Sequence, residues 1–398
     1  ANYSGNDKEL LAVKDKIVGL VNSNDTYPLT PRYKPDDFCV NDPDTVITAV
    51  KHYIDALSMQ AKARNMGAIF GGRQPHYQSI VVGGITQYPD INQVLQFKTM
   101  LDEQAKFVDE VYIPDVMAFG TGPLFPLAEM GLGGGHYNYL SYGALKTSPP
   151  NEDLLFPAGV IVNMDPANLQ VKPFDAAKIT ESVKHAWYKN SEPLHPAKGE
   201  TVYDLDKEAG YSFIKAPRYD GHSMEVGPLA RMLIKKDPTL IGLVKKGAKP
   251  GAVARHAARA IETKQVVDAC YKWIDQLLTE MTKPGFKIHD SNSWEIPDAG
   301  EGAGFYEPPR GALGHWIEIE NKKIKNYQAV VPSTWNASPR CDRDVRGQYE
   351  ESLIGAPVPD PDNPINVVRI IRSFDPCLAC AIHLIDPQTN EIKKFVVE

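Results

Sequence analysis

The sequence is poor in cysteine, has no long apolar run and carries no excess of basic residues. Its five cysteines among 398 residues are Cys39, Cys270, Cys341, Cys377 and Cys380. They are odd in number and mostly scattered, which argues against a disulfide framework. No apolar run reaches about 18 residues, so we expect no transmembrane helix. With 43 basic against 50 acidic residues and a net charge of −7, nucleic acid is not an expected partner.

The first residues also lack the features of a secretory signal. Residues 1–7 contain neither a basic stretch nor an apolar stretch. We therefore expect any export to depend on a partner that bears a signal. The composition, 42% hydrophobic and 23% charged, is that of a globular protein and excludes disorder of the whole chain.

Hydrophobic periodicity predicts a mainly α protein with small β-sheets, of the α+β class. Apolar residues spaced three and four apart predict helices over residues 6–22, 45–72, 90–114, 175–188, 226–235 and 251–282, with a last helix before Cys377. Strand-like pieces occupy residues 139–145 and 158–163. A β-hairpin is expected with strands at 316–320 and 327–331.

The strongest local signal lies near the C-terminus, where residues 375–383 spell Asp-Pro-Cys-Leu-Ala-Cys-Ala-Ile-His. Two thiols three residues apart can face one centre, and soft thiolates select nickel, zinc, copper(I) or iron–sulfur clusters. A c-type haem site needs histidine directly after the second cysteine, where Ala381 stands instead. A structural zinc site needs a second ligand pair, and the sequence has no other Cys-x-x-Cys. Two incidental buried thiols remain an alternative.

This motif and several others occur in the order found in one family. The sequence resembles the large, catalytic subunit of [NiFe] hydrogenases, over that subunit's C-terminal two-thirds. The other matching segments are residues 68–76, 178–184, 216–219, 224–231, 309–316 and 331–336. The resemblance implies the large-subunit fold, built on a bundle of long helices. It divides the chain into an N-terminal extension (1–44), a single core domain (45–383) and a C-terminal tail (384–398).

The resemblance implies a Ni–Fe centre whose iron carries CO and cyanide. By that pattern Cys377 is a terminal nickel ligand and the first candidate for the base that takes the proton from H2. Cys380 would bridge nickel and iron. Arg310 would lie over the open metal position, and Asp375 would pair with it or orient its neighbours.

Five further positions take roles by the same resemblance. Pro309, Pro332 and Ser333 match residues that line the pocket around the diatomic ligands. His383 and the backbone carbonyl of Ala329 match ligands of a nearby Mg²⁺ or similar ion, whose preference is for hard oxygen donors.

The family's N-terminal Arg-x-Cys-Gly-x-Cys motif is absent from these residues. We therefore expect a split large subunit, in which a separate N-terminal polypeptide brings the other cysteine pair; a fragment of a longer chain is the alternative. Residues 384–398 resemble the tail that a maturation endopeptidase removes after the histidine matching His383. Because no cysteine set for an iron–sulfur cluster exists here, an Fe–S small subunit is an expected partner.

The expected activity is H2 = 2 H⁺ + 2 e⁻, in the direction of H2 uptake. The motif sequences are most similar to those of enzymes that face the periplasm. This predicts a periplasmic localisation or one at the outer face of the membrane, and a cytoplasmic localisation is the alternative. Two other functions stay open at this point: a non-catalytic relative such as an H2 sensor, and a zinc- or redox-binding module.

Overall fold

The computed structural model describes most of the chain. Described are residues 3–23, 40, 42–147, 153–290, 295–358, 361, 364–377, 382–385 and 392–395.

Helices dominate the described residues, as the sequence predicts. They are α1 (Lys8–Asn22), α2 (Pro43–Gly71), α3 (Ile91–Phe107), α4 (Ile113–Thr121), α5 (Phe125–Met130), α6 (Pro228–Lys235), α7 (Pro238–Lys245), α8 (Ala252–Met281), α9 (Pro332–Asn336), α10 (Gln348–Ser352) and α11 (Ile365–Ser373). Asp90 caps α3 by accepting hydrogen bonds from the N–H groups of Asn92 and Gln93. A π-helical turn at Val108–Tyr112 joins α3 to α4, so the helix continues beyond Pro114. In the part of the chain that is described, no helix has the length and apolarity needed to cross a bilayer.

The strands are short and pair in small antiparallel sheets. They are β1 (Ile80–Val81), β2 (Gly84–Ile85), β3 (Tyr139–Ser141), β4 (Ala144–Lys146), β5 (Leu154–Phe156), β6 (Gly159–Ile161), β7 (Ile179–Ser182), β8 (Ala216–Tyr219), β9 (Ala299–Tyr306), β10 (Leu313–Glu320), β11 (Lys323–Val330), β12 (Ile382–Ile385) and β13 (Ile392–Phe395). The pairs are β1–β2, β3–β6, β4–β5, β7–β8 and β12–β13, and β10 lies between β9 and β11.

The predicted β-hairpin is confirmed and is longer than its apolar pattern indicated. Between β10 and β11, Asn321 and Lys322 both adopt positive φ angles, 53° and 60°. Two such residues form the tight turn whose twist matches the strands on either side. The third strand, β9, was not predicted, because its Gly-rich sequence is exposed along nearly its whole length and has no alternating apolar pattern.

The predicted helix over residues 175–188 is wrong. Asp175 caps only a short 3₁₀ turn at Ala176–Lys178, and the chain then enters β7. In β7, Ile179 pairs with Tyr219 and both side chains are buried. Because Ile and Thr are β-branched, residues 179–180 suit a packed strand better than a helix. Pairing with β8, about 40 residues later in the sequence, therefore outweighs the local pattern.

The long helix α8 runs through the middle of the molecule and contacts α3, α4, α6 and α11. On one side its residues Val267 and Ile274 pack against Val94 and Leu101 of α3. Towards its N-terminus it packs against α6, where Ala258 lies in the same buried cluster as Leu233 and other apolar residues. These contacts connect α8 both with α3 and with α11, the helix that directly precedes the C-terminal motif.

One buried acid in the β7–β8 sheet makes stability depend on pH. Burial raises the pKa of Glu181 from 4.5 to about 7, against the opposing charge of Lys215. Between those values the folded state keeps a proton that the unfolded state loses, so stability falls as pH rises and the loss is complete above pH 7. Replacing Glu181 with glutamine should therefore recover about 3 kcal/mol at pH 8.5 and almost nothing at pH 4.

Melting temperatures measured at these two pH values test this expectation. Exposed Glu208→Gln serves as the control, because its substitution should change neither melting temperature. A gain in Glu181→Gln that is the same at both pH values would contradict the argument.

Candidate functional site

Two segments without regular structure meet at the candidate site. The first links β9 to β10 and carries Arg310, and the second follows α11 and carries Asp375. Nη2 of Arg310 donates to Oδ1 of Asp375 at 3.2 Å. The side chains are 40% and 39% exposed, so the pair faces an open region rather than the core. The structure thus brings together two of the predicted site residues that are 65 positions apart.

Cys377 lies beside a third segment, the start of α9. Its backbone N–H donates to Oγ of Ser333 at 3.3 Å, and its own side chain is exposed. Pro332, buried, occupies the first turn of α9, where a missing N–H group costs nothing. Pro309 is exposed directly before Arg310. Six of the predicted positions, including Asp375, therefore belong to three chain segments that contact one another.

Close backbone approach fixes the Arg310 segment. Gly311 has a φ angle of 132°, and a Cβ atom there would lie 2.7 Å from the backbone nitrogen of Gly227. Residue 226 is held in turn by Asn336, whose side-chain amide exchanges two 3.0 Å hydrogen bonds with the N–H and carbonyl groups of Val226. Only glycine combines this conformation with this contact, which explains the Arg-Gly sequence.

Buried polar atoms without a partner lie in the same region. Nε of Arg310 and the hydroxyl group of Tyr349 are both buried and form no hydrogen bond among the described residues. Burial raises the pKa of Tyr349, and its ring packs 4.8 Å from that of Phe374, next to Asp375. Unsatisfied buried donors of this kind point to a group that completes the site.

The donor set agrees with a thiolate-ligated metal, of which this chain supplies a part. The Cys377 thiol is a soft ligand, and the guanidinium of Arg310, bonded to Asp375 two residues before Cys377, can stabilise negative charge in this region. No cluster of three or more His, Cys, Asp or Glu side chains suited to a metal occurs among the residues described.

The remaining predicted ligands are placed less fully. Cys380 lies outside the described residues. His383 is described by its backbone alone, in β12, opposite Lys394 of β13. Ala329 lies in β11, opposite His315, and is exposed. The Mg²⁺ site consequently stays a prediction.

Buried ionic groups behind the site were not predicted from the sequence. Arg231 and Glu225 occur in the otherwise apolar segment 224–231, and each is almost fully buried. Arg255 of α8 is buried as well and bonds to Glu225. Charges inside an apolar run were a usable signal, since Arg and Glu are rarely buried without a partner.

Comparison with known proteins shows the family of this chain. The family model described as Nickel-dependent hydrogenase matches residues 1–383. The chain belongs to the nickel-dependent hydrogenase family. The predicted resemblance to hydrogenase large subunits is thereby confirmed.

Hydrogenase large subunits are also its relatives by pairwise comparison. The periplasmic [NiFeSe] hydrogenase large subunit of Desulfomicrobium baculatum is 37% identical over 406 residues, covering 96% of this chain and 75% of that protein. The hydrogenase-2 large chain of Escherichia coli K12 is 34% identical over 421 residues, covering 97% and 73%. The uptake hydrogenase large subunit of Bradyrhizobium diazoefficiens is 34% identical, covering 89% and 67%.

Solved hydrogenase structures have the same fold. The H2-activated [NiFeSe] hydrogenase of Dm. baculatum superposes with a TM-score of 0.79 at 37% identity, covering 89% of this chain and 75% of that one. The oxidised Ni-Fe-Se hydrogenase of D. vulgaris Hildenborough gives 0.79 at 35% identity, covering 88% and 74%. The expected fold class, helical with small antiparallel sheets, is therefore confirmed.

Proposed function

We propose that this chain is the part of a hydrogenase large subunit that carries the C-terminal half of a Ni–Fe centre and oxidises H2 to protons and electrons. Membership of the nickel-dependent hydrogenase family supports the activity. The observation that carries the proposal is the meeting of Arg310, Asp375 and the Cys377 segment at one open position.

The thiolates of Cys377 and Cys380 would hold the Ni–Fe pair. When bound, the metal pair supplies the position at which H2 is split heterolytically. Sγ of Cys377 would accept the proton, because a metal-bound thiol is already deprotonated. The guanidinium of Arg310 is too basic for that task and stabilises negative charge instead, held in place by its 3.2 Å bond to Asp375.

The pocket residues divide into polar and apolar walls. Oγ of Ser333 accepts the Cys377 N–H, which leaves its own hydrogen able to donate to a cyanide nitrogen. Pro309 and Pro332 carry no N–H donor and present an apolar surface to CO. We further propose that the imidazole of His383 and the carbonyl oxygen of Ala329 bind a Mg²⁺ ion, together with water.

By the family resemblance two more thiolates are required, and neither Cys270 nor Cys341 belongs to a second Cys-x-x-Cys pair. We propose that the missing pair belongs to a separate N-terminal polypeptide docked against this one. Intact mass analysis of the purified complex decides between this arrangement and a single longer chain. Finding the second Cys-x-x-Cys on the same polypeptide would refute the split.

Three further proposals concern partners, maturation and place. Electrons leave through a small subunit with Fe–S clusters, which the large-subunit relatives imply. A maturation endopeptidase cuts after His383, so that residues 384–398 form a removable tail behind a core of residues 45–383. The name of the Desulfomicrobium relative supports a periplasmic place.

Replacing Cys377 with serine tests the function. Loss of one thiolate should lower the nickel content of the purified complex by about tenfold or more and abolish H2 oxidation with a dye acceptor. Cys270→Ser is the matched control, because Cys270 is a half-buried cysteine of α8 outside the motif. This variant should keep both the nickel content and the H2 oxidation activity of the wild type. A wild-type complex that contains zinc in place of nickel, or a Cys377→Ser complex with full nickel, would overturn the proposal.

A further inference from the structure

One face of α8 touches both segments of the candidate site. Arg255, Arg259 and Glu262 lie at positions i, i+4 and i+7, so their side chains leave the helix on the same side. None of the three belongs to the motifs that the sequence analysis singled out. We call these three residues the α8 latch.

The N-terminal part of the latch holds the end of α11. Nη1 of Arg255 donates to Oγ of Ser373 at 3.1 Å, and its guanidinium lies 3.4 Å from the centre of the Phe374 ring. Arg259 donates to the backbone carbonyl of Ser373 at 3.0 Å. These contacts reach the chain two residues before Asp375 and fix where the C-terminal motif starts.

Arg255 is itself anchored from behind. Its Nε and Nη2 donate to both carboxylate oxygens of Glu225, at 2.7 and 2.8 Å, and both side chains are 3% exposed. This bidentate hydrogen bond restricts the guanidinium plane to a single orientation. Arg255 therefore offers Ser373 and Phe374 a rigid support rather than a mobile charge.

The C-terminal part of the latch holds the Arg310 segment through one intermediary. Glu262 accepts bonds of 2.9 and 2.7 Å from Arg231. Arg231 in turn donates to Glu307 at 2.7 Å and to the carbonyl groups of Pro308 and Pro309 at 3.1 and 2.8 Å. All donor nitrogens of this guanidinium are used, and they fix the chain up to the residue before Arg310.

The direct link between the two segments is too weak to set their spacing alone. The Arg310–Asp375 bond is single, 3.2 Å long and about 40% exposed on both sides. Exposed ion pairs of this kind are worth little. The contacts of Arg255 are buried, those of Arg259 and Glu262 are partly buried, and Arg255 and Glu262 each bond through more than one atom. The relative position of Arg310 and Cys377 therefore depends on contacts behind the pair, which are those of α8 together with the backbone contact at Gly311.

We propose that the α8 latch is a positioning device which fixes the Arg310 and Cys377 segments relative to each other. This inference rests on the proposed function for its importance to catalysis, but the geometry it claims belongs to this chain alone. Arg255 and Arg259 act through Ser373 and Phe374, and Glu262 acts through Arg231; none of them is a catalytic residue. A small displacement of either segment separates the charge of Arg310 from the proton-accepting Sγ.

The first test needs neither metal nor activity. Arg255→Lys keeps the charge next to Glu225 but cannot reach Glu225, Ser373 and the Phe374 ring together. Hydrogen–deuterium exchange of the full chain should be about tenfold faster for the peptide covering residues 370–377. Arg218→Lys is the matched control, since Arg218 is equally buried and holds residues 338, 339 and 345 by similar bonds.

The second test measures the activity and the nickel signal of the metal-containing complex. Arg255→Lys should lower kcat for H2 oxidation by about ten- to a hundredfold, leave KM unchanged and shift the nickel electron paramagnetic resonance signal. Arg218→Lys should lower the melting temperature without these changes. If Arg255→Lys does not fold, Arg259→Lys, which loses only one bond to Ser373, replaces it.

The outcomes separate the two proposals. A wild-type complex without H2 turnover refutes the proposed function, and the exchange experiment still decides on the latch. Exchange at residues 370–377 that is the same in Arg255→Lys as in Arg218→Lys overturns the latch. A nickel electron paramagnetic resonance signal that is the same in Arg255→Lys as in the wild type also overturns the latch proposal.

Discussion

Replacing Arg310 with lysine should lower the rate of H2 oxidation by about 10²- to 10³-fold without unfolding the chain, because a preorganised charge next to the reacting atoms is lost. The lysine ammonium keeps the charge but is a compact point on a flexible stem, so it cannot stay bonded to Asp375 and face the Cys377 side at once. The pair is partly exposed, and for that reason the melting temperature should change by little.

The measurement compares kcat, nickel content and melting temperature with those of the wild type. Arg343→Lys is the control, because Arg343 is exposed and bonds only to the Gly221 carbonyl among the contacts described. Nickel content should stay at the wild-type level in both variants. A loss of activity that follows a loss of nickel would show that Arg310 supports metal binding rather than the reaction.

Helix prediction succeeded where the apolar pattern was long. The patterns over α2 and α8 each span more than four turns, and the helices observed match them closely at both ends. The pattern over α3 predicted the start of that helix, but helical structure continues past Pro114 through the π-helical turn into α4. Helix prediction failed at residues 175–188, where the partner strand β8 lies about 40 residues away in sequence. Local periodicity contains no information on such pairing, so a buried strand next to polar residues was taken for a helix.

The site was predicted by motif rather than by pattern. Arg310, Ser333 and the Asp375–Cys377 segment are far apart in the sequence, and no periodicity indicates that they meet. Only the family resemblance predicted it. The structure shows which contacts hold these segments in their relative positions, and the motifs contain no such information. Buried arginines such as Arg255 are invisible in a motif because their partners come from distant segments.

Replacing Gly311 with alanine should destabilise the protein by about 2 to 5 kcal/mol and lower its melting temperature by several degrees. The added Cβ would lie 2.5 Å from Cγ2 of Val226 and 2.7 Å from the Gly227 nitrogen. The φ angle of 132° is itself unfavourable for any residue with a side chain. Backbone atoms cannot rotate away as a side chain can, so one of the two segments must move.

That movement has a consequence for catalysis, because Gly311 directly follows Arg310. We expect Gly311→Ala to lose H2 oxidation by at least tenfold even at temperatures at which it remains folded. Gly304→Ala, on the exposed strand β9, is the matched control: its φ is ordinary and no atom lies within 4 Å of the added Cβ. Melting curves and dye-linked H2 oxidation, run on both variants, separate strain from mere substitution. If Gly311→Ala behaved like Gly304→Ala, the contact between residues 226–227 and 310–311 would not be what holds Arg310 in place.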